Sequence, residues 1–308
     1  MSQAAPGDVS AAEVDIQSYL RDFAGQHVHY LPNPGNAGDS IIAAATYQCF
    51  RRHTIRITIP RPDRFDPAGK TVFYGGGGNI GVGVYAHTQI SRLHKDARRF
   101  VILPQTIRDA DGLIRSFGSN VTVICRERVS YDYVRSFNGP YTTLLAHDMA
   151  FSLDPTPLLE GVGRMEAFAS GIKAMLKRQG CTRPANLGRI LLGRPRGTVP
   201  DRAALGPSLS CFRLDGERTD IALPPHNVDL SVVFSYGVGP EAVANHVASR
   251  LLSTLNQFDE IRTNRLHIAI SSAILGKIVK FYSNNYYKCR AVYEHSMKDR
   301  FPNVQWMG

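Results

Sequence analysis

Short apolar runs alternate with amphipathic stretches along most of this chain. The runs at 27–31, 54–59, 71–74, 100–103, 121–125 and 142–146 read as β-strands. Between them, apolar residues recur at helical spacing, as at Ile41, Ile42, Ala45 and Cys49. Strands alternating with helices predict a parallel sheet with crossover helices, so the expected fold class is α/β. The alternation resumes after a connection containing a basic helix. Segments 189–192, 228–234, 260–263 and 280–283 read as strands, with helices over 241–255 and 286–297. Ser10 followed by Glu13 reads as a capping box for a first helix over about 11–24. A chain of 308 residues exceeds a comfortable single core. Two domains are expected, over 1–155 and 188–308, with 156–187 as the connection.

Polar residues recur just after these strands, at their carboxyl ends: Asn36 and Asp39, Asn79, Gln105, Arg126, Asp148. In open α/β sheets that edge is where ligands bind. The turn Gly35-Asn36-Ala37-Gly38-Asp39 lacks the dinucleotide and P-loop patterns, but it offers helix N–H groups to an anion. Asp39 reads either as a site residue or as the helix cap. The run Gly75–Gly78, including Gly77 and ending at Asn79, costs conformational entropy. Such a run suits backbone that must approach something closely. Arg126 opens a helix where a cation is misplaced unless it faces an anion, and an arginine fork grips carboxylate or phosphate. Arg128 reads as a surface salt bridge. His147 and Asp148, adjacent on a strand, point to opposite faces and do not read as a catalytic pair.

The segment from Arg262 through Ile270 places Arg265 and His267 in the first turn of an apolar helix, with Thr263 or Asn264 as its cap. Two cations at the positive end of a helix are unfavourable without an anion. The competing reading is a surface arginine and a core histidine.

Composition narrows the partners. The net charge of +10 calls for an anionic partner or surface. Nucleic acid is one option, but the basic residues are scattered and carry no nucleic-acid fingerprint, and an anionic small molecule or an anionic membrane face explains the charge equally well. No apolar run is long enough to span a bilayer, and the N-terminus does not read as a secretory signal. The odd, widely spaced cysteines argue for a reducing cytoplasm, and neither they nor the histidines show metal-ligand spacing.

Four motifs now stand in order: the Gly-Asn-x-Gly-Asp turn, a glycine run ending in Asn, a strand ending in Arg-Glu, and Arg265-Leu266-His267 at a helix start. With the closing segment 281–295, this set resembles the polysaccharide pyruvyl transferase family, in its bacterial exopolysaccharide branch. The resemblance covers residues 33 to 295. It implies two Rossmann-like domains facing a cleft, similar to GT-B glycosyltransferases. It also implies transfer of a pyruvyl group from phosphoenolpyruvate to two sugar hydroxyls as a cyclic ketal. His267 and Asp39 match the catalytic positions. Arg126 and Arg265 match donor-binding positions and Leu266 lines the site, while Asn36, Gly77, Asn79 and Gln105 are expected to bind substrate from their places at strand ends and in the glycine run. No metal and no cofactor beyond the donor are expected. A sugar acceptor, lipid-linked at the inner membrane face, is implied. Whether His267 gives or takes the proton stays open. Gly193-Arg194-Pro195-Arg196 departs from the family's usual strand ending. The alternatives are a GT-B-like glycosyltransferase using a nucleotide sugar, or a non-catalytic module binding anionic glycans.

Overall fold

The computed structural model of the protein describes residues 13–81, 84–177 and 183–308. Ser10 of the expected capping box and Cys181 lie outside them. The first helix is Ile16–Arg21, and Asp15 caps it by accepting from the Ser18 N–H at 3.0 Å.

Seven strands form the first sheet: β1 (His27–Leu31), β2 (Arg56–Thr58), β3 (Thr71–Tyr74), β4 (Gly77–Ile80), β5 (Arg99–Ile107), β6 (Val121–Cys125) and β7 (Thr142–Leu145). Their order is β2-β1-β3-β5-β6-β7, with β4 also paired to β5, and every ladder is parallel. The chain leaves β1 towards β2 and then returns to β3 on the other side, which puts a topological switch point between β1 and β3. The second sheet, β8 (Ser208–Cys211), β9 (Glu260–Thr263), β10 (Ile278–Phe281) and β11 (Val304–Trp306), is also wholly parallel. The parallel α/β reading therefore holds.

One apolar core runs between the sheets. Val28 and Phe73 of the first and Ile261 and Phe281 of the second belong to one buried cluster. The helix Ala37–Arg52 is buried from Ser40 through Phe50 and packs against the helix Glu241–Asn256. A second cluster, with Val72, Phe100 and Val123, fills the other face of the first sheet.

Several elements differ from the sequence reading. Residues 189–192 end a helix, Pro184–Leu192, with Pro184 in its first turn and Gly193 in the left-handed conformation (φ 62°). Residues 228–234 contain a short helix, Leu230–Val233, instead of a strand. The glycine run leads into β4, and the helix that follows is Val84–Leu93. Strands β8 and β11 are additional.

Candidate active site

The loops at the carboxyl ends of the two sheets meet at a cavity of about 310 Å³. Asn36 and Asp39 enter it after β1, Gly78 and Asn79 from β4, and Arg126 after β6. From the second sheet come Arg213, Asp215 and Glu217 after β8, Arg265, Leu266 and His267 after β9, and Lys288 after β10.

Asn36 starts the helix Ala37–Arg52 through a reciprocal cap. Its Oδ1 accepts from the Gly38 N–H, and Asp39 Oδ2 accepts from the Asn36 N–H, both at 2.8 Å. The Asp39 side chain is thus the cap and a cavity wall at once. Burial pushes its carboxyl above the ordinary range, against the opposing pull of His267. Asn79 exchanges hydrogen bonds with buried Asn33, at 2.7 and 2.8 Å.

Arg126 is fully buried. Its Nη1 donates to Asp148 Oδ2 at 2.6 Å and its Nε to Thr106 Oγ1 at 2.9 Å. Nη2 lies against the glycine strand: a Cβ on Gly78 would sit 2.6 Å from it. The glycine there leaves room for the guanidinium. His267 Nε2 stands 3.5 Å from the same Asp148 oxygen. On its other side, a Cβ on Gly38 would meet His267 Nδ1 at 2.7 Å. A histidine from the second sheet is therefore seated against two loops of the first. Burial would raise the Asp148 carboxyl, but Arg126 and His267 outweigh it and hold it well below the usual carboxylate range.

Arg265 is also buried. Its Nε donates to Asp229 Oδ1 at 3.0 Å, and its Nη2 pairs with Asp229 and, at 2.9 Å, with Asp215. Arg213 bonds Asp215 through Nε at 2.7 Å and pairs with Glu217, which also takes Lys288 Nζ at 2.5 Å. Burial pulls the Lys288 ammonium below its ordinary value, with Glu217 acting the other way. Three cations, Arg213, Arg265 and Lys288, and the interleaved carboxylates Asp215, Glu217 and Asp229 thus form one network.

Arg265 is itself the N-cap residue of the helix Leu266–Ile274, and no side chain caps that helix. The two expected caps are engaged elsewhere. Thr263 Oγ1 accepts from the Arg265 N–H at 2.9 Å, and Asn264 Oδ1 accepts from the Arg213 N–H at 2.9 Å. The helix start is left with N–H groups and the positive dipole end beside the cavity.

Asn36, Asp39, Asn79, Arg126, Arg265, Leu266 and His267, all expected at the site, line this cavity. Gly77 and Gln105 stand behind it. Gln105 is buried and donates to the Gly75 carbonyl at 2.7 Å, bracing the glycine run. A Cβ on Gly77 would meet Asn33 Nδ2 at 2.6 Å. Arg262, on the exposed side of β9, pairs with Glu260 at 2.7 Å. The sequence reading missed Asp148 as the partner of both Arg126 and His267, although its place at a strand end was visible. It also missed Arg213, Asp215 and Glu217, because β8, Ser-Leu-Ser-Cys, carries too little apolar character to announce itself. Asp229 was hidden in a segment read as a strand.

Comparison with known proteins bears directly on this arrangement. A family profile described as polysaccharide pyruvyl transferase matches residues 36–283, which include the turn at Asn36, Arg126 and the Arg265–His267 motif. The chain belongs to the polysaccharide pyruvyl transferase family. It is accordingly a transferase, and the family implies a polysaccharide acceptor. Among solved structures, a functionally uncharacterized protein of Klebsiella pneumoniae subsp. pneumoniae NTUH-K2044 is similar over 95% of this chain and 96% of its own. The identity is 28% and the TM-score 0.71. No curated protein matches. No helix among the described residues of this pyruvyl transferase is long and apolar enough to cross a membrane.

Proposed function

We propose that the cavity binds phosphoenolpyruvate and that the enzyme transfers its pyruvyl group to two hydroxyls of one sugar, forming a cyclic ketal and releasing phosphate. The observation that carries this reading is the shared carboxylate. Arg126 Nη1 and His267 Nε2 approach the same Asp148 oxygen, at 2.6 and 3.5 Å. An anion-gripping guanidinium and a proton-transferring ring are thereby held side by side by one buried acid.

The donor carries a phosphate and a carboxylate. Arg126 Nη2, Lys288 and the uncapped start of the helix Leu266–Ile274 suit those two groups. Arg265, held by Asp229 and Asp215, adds fixed positive charge. A proton added to the vinyl carbon makes it a methyl group and leaves an oxocarbenium-like centre at the neighbouring carbon. A sugar hydroxyl attacks that centre and gives up its proton. The phosphate leaves with the bonding pair, and the second hydroxyl closes the ring and loses its proton in turn. His267 is the group suited to exchange these protons, with Asp148 orienting the ring. Asp39 caps its helix through Oδ2, which leaves Oδ1 to receive an acceptor hydroxyl.

An adjoining cavity of about 620 Å³ shares Pro34 and Gly35 with this site and is lined by Tyr85, Arg183, Asn186 and Arg196. Its size and polarity suit the acceptor saccharide. A lipid-linked acceptor at the cytoplasmic membrane face agrees with the net charge of +10. It agrees also with the exposed Met165 and Leu176 on the lysine-bearing helix Arg164–Leu176.

The test is phosphate release from phosphoenolpyruvate with a panel of saccharide acceptors. Release that depends on the acceptor is expected, and His267→Ala should lower kcat by about 10²–10⁴. Consumption of a nucleotide sugar with no phosphate released from phosphoenolpyruvate would overturn the reading.

A further inference from the structure

Away from the cavity, a second group of side chains has the chemistry of a metal site. Glu13, His147 and His295 each offer one ligand atom, and these atoms lie within 4.8 Å of one another. The three come from separate parts of the chain. Glu13 lies before the first helix and bridges to Leu145 of β7. His147 follows β7, and His295 lies in a π-helical turn, Tyr293–Met297. Residues so distant in sequence meet only because the fold brings them together.

Further observations point the same way. His295 Nε2 is buried without a hydrogen-bond partner and lies 3.9 Å from Glu13 Oε1. A buried polar atom left unpaired is costly, and a ligand at that point would relieve the cost. The residue that carries it sits in a π-turn, a rare element found frequently at functional sites. His147 Nδ1 is 2.9 Å from Ser296 Oγ, a ring contact of the kind that orients metal-bound histidines.

We propose that Glu13, His147 and His295 bind a divalent late first-row transition metal such as Zn²⁺, with a fourth position open to water. Two imidazoles and one carboxylate suit such an ion and not Mg²⁺ or Ca²⁺, which take oxygen ligands. Bonds of roughly 2.1 Å require the ligand atoms to close to about 3.4 Å. The Glu13 side chain, 51% exposed, can supply most of that movement. Arg128 and Arg300 act electrostatically on these histidines and oppose a cation, so the Glu13 carboxylate is needed for tight binding. The metal would tie the segment at Glu13 and the C-terminal turn to the end of β7. That point is one residue from Asp148. No step of pyruvyl transfer passes through it.

The experiment is titration of the full chain, stripped with a chelator, with Zn²⁺ by calorimetry and with Co²⁺ by absorption. One equivalent should bind. Tetrahedral Co²⁺ bands should appear without thiolate charge-transfer absorption. His147→Gln and His295→Gln should each lower the affinity at least tenfold. Glu13→Gln, at an exposed position that leaves the fold intact, should do the same. Zn²⁺ should raise the Tm of the wild type and of none of the three variants. No binding, binding that survives all three substitutions, or thiolate bands from the cysteines would overturn the proposal. None of these outcomes depends on the donor or on turnover, so the proposal stands or falls apart from the pyruvyl transfer reading.

Discussion

At the scale of single residues, Asp148 organises the site. It neutralises a fully buried arginine and seats the histidine, so removing its charge should act on both. Asp148→Asn leaves Arg126 buried and unpaired, at a cost of about 3–5 kcal/mol at pH 7. The pH dependence has a definite sign. The folded carboxyl titrates below its unfolded value of about 3.9. Its stabilisation is therefore fully present above that value and is lost as pH falls through it towards the folded pKa. In urea unfolding, the gap between wild type and Asp148→Asn should be narrower at pH 3 than at pH 7. An equal gap would place the carboxylate outside the pair. Gly78→Ala gives a second residue-scale prediction. The added Cβ would fall 2.6 Å from Arg126 Nη2, on a guanidinium already fixed by Asp148 and Thr106. Donor affinity should drop roughly tenfold, about 1.4 kcal/mol, and the Tm should fall as well, because the fixed guanidinium or the strand must give way. Unchanged affinity would mean that Nη2 does not meet the donor. The cavity-lining residues that were legible from sequence are those whose local placement was odd, such as cations at helix starts and glycines in a row. Asp215, Glu217 and Asp229 were not legible. A carboxylate near an arginine is ordinary in sequence, and only the fold shows which pairs form.

At the scale of elements, β1, β3, β6 and β9 have the bounds that their apolar runs suggest, each closed by a turn or a polar residue. The misread elements have physical reasons. The run Arg189–Leu192 is too short for periodicity to separate strand from helix. Its flanks, Pro184 in the first turn and Gly193 at the end, carry the helical signal instead. In the run around Val228–Phe234, Leu230, Val233 and Phe234 are buried, Val232 is exposed, and Asp229 is held by Arg265. Strand β4 was unreadable because glycines have no strand propensity. Its glycines leave room for close neighbours, as a Cβ on Gly77 would meet Asn33 Nδ2 at 2.6 Å. Gly193→Ala tests the helical assignment. An L-residue held at φ 62° should lose about 1–2 kcal/mol, read as a lower Tm, with turnover unchanged. An unchanged Tm would contradict the left-handed helix end.

At the scale of the whole molecule, the two sheets share an apolar core and a cavity. Expected domain limits at 155 and 188 describe a chain order; the packing joins what lies on either side. Because one buried cluster includes Val28 and Phe73 with Ile261 and Phe281, thermal unfolding should be a single cooperative transition. Two resolved calorimetric transitions would contradict that coupling. The shared cavity carries the central claim: the first sheet supplies Arg126 and Asp148, the second supplies Arg265 and His267, and phosphoenolpyruvate binds between them. The direct test is calorimetric titration of phosphoenolpyruvate into wild type, Arg126→Lys and Arg265→Lys. Lysine keeps the charge that the buried carboxylates need, but at 126 it loses the Nη2 that faces the donor, and at 265 it loses the fork on Asp229 that fixes the charge in place. One equivalent should bind the wild type, with affinity at least tenfold weaker in each variant. No binding to the wild type, or equal affinity in all three proteins, would contradict the account.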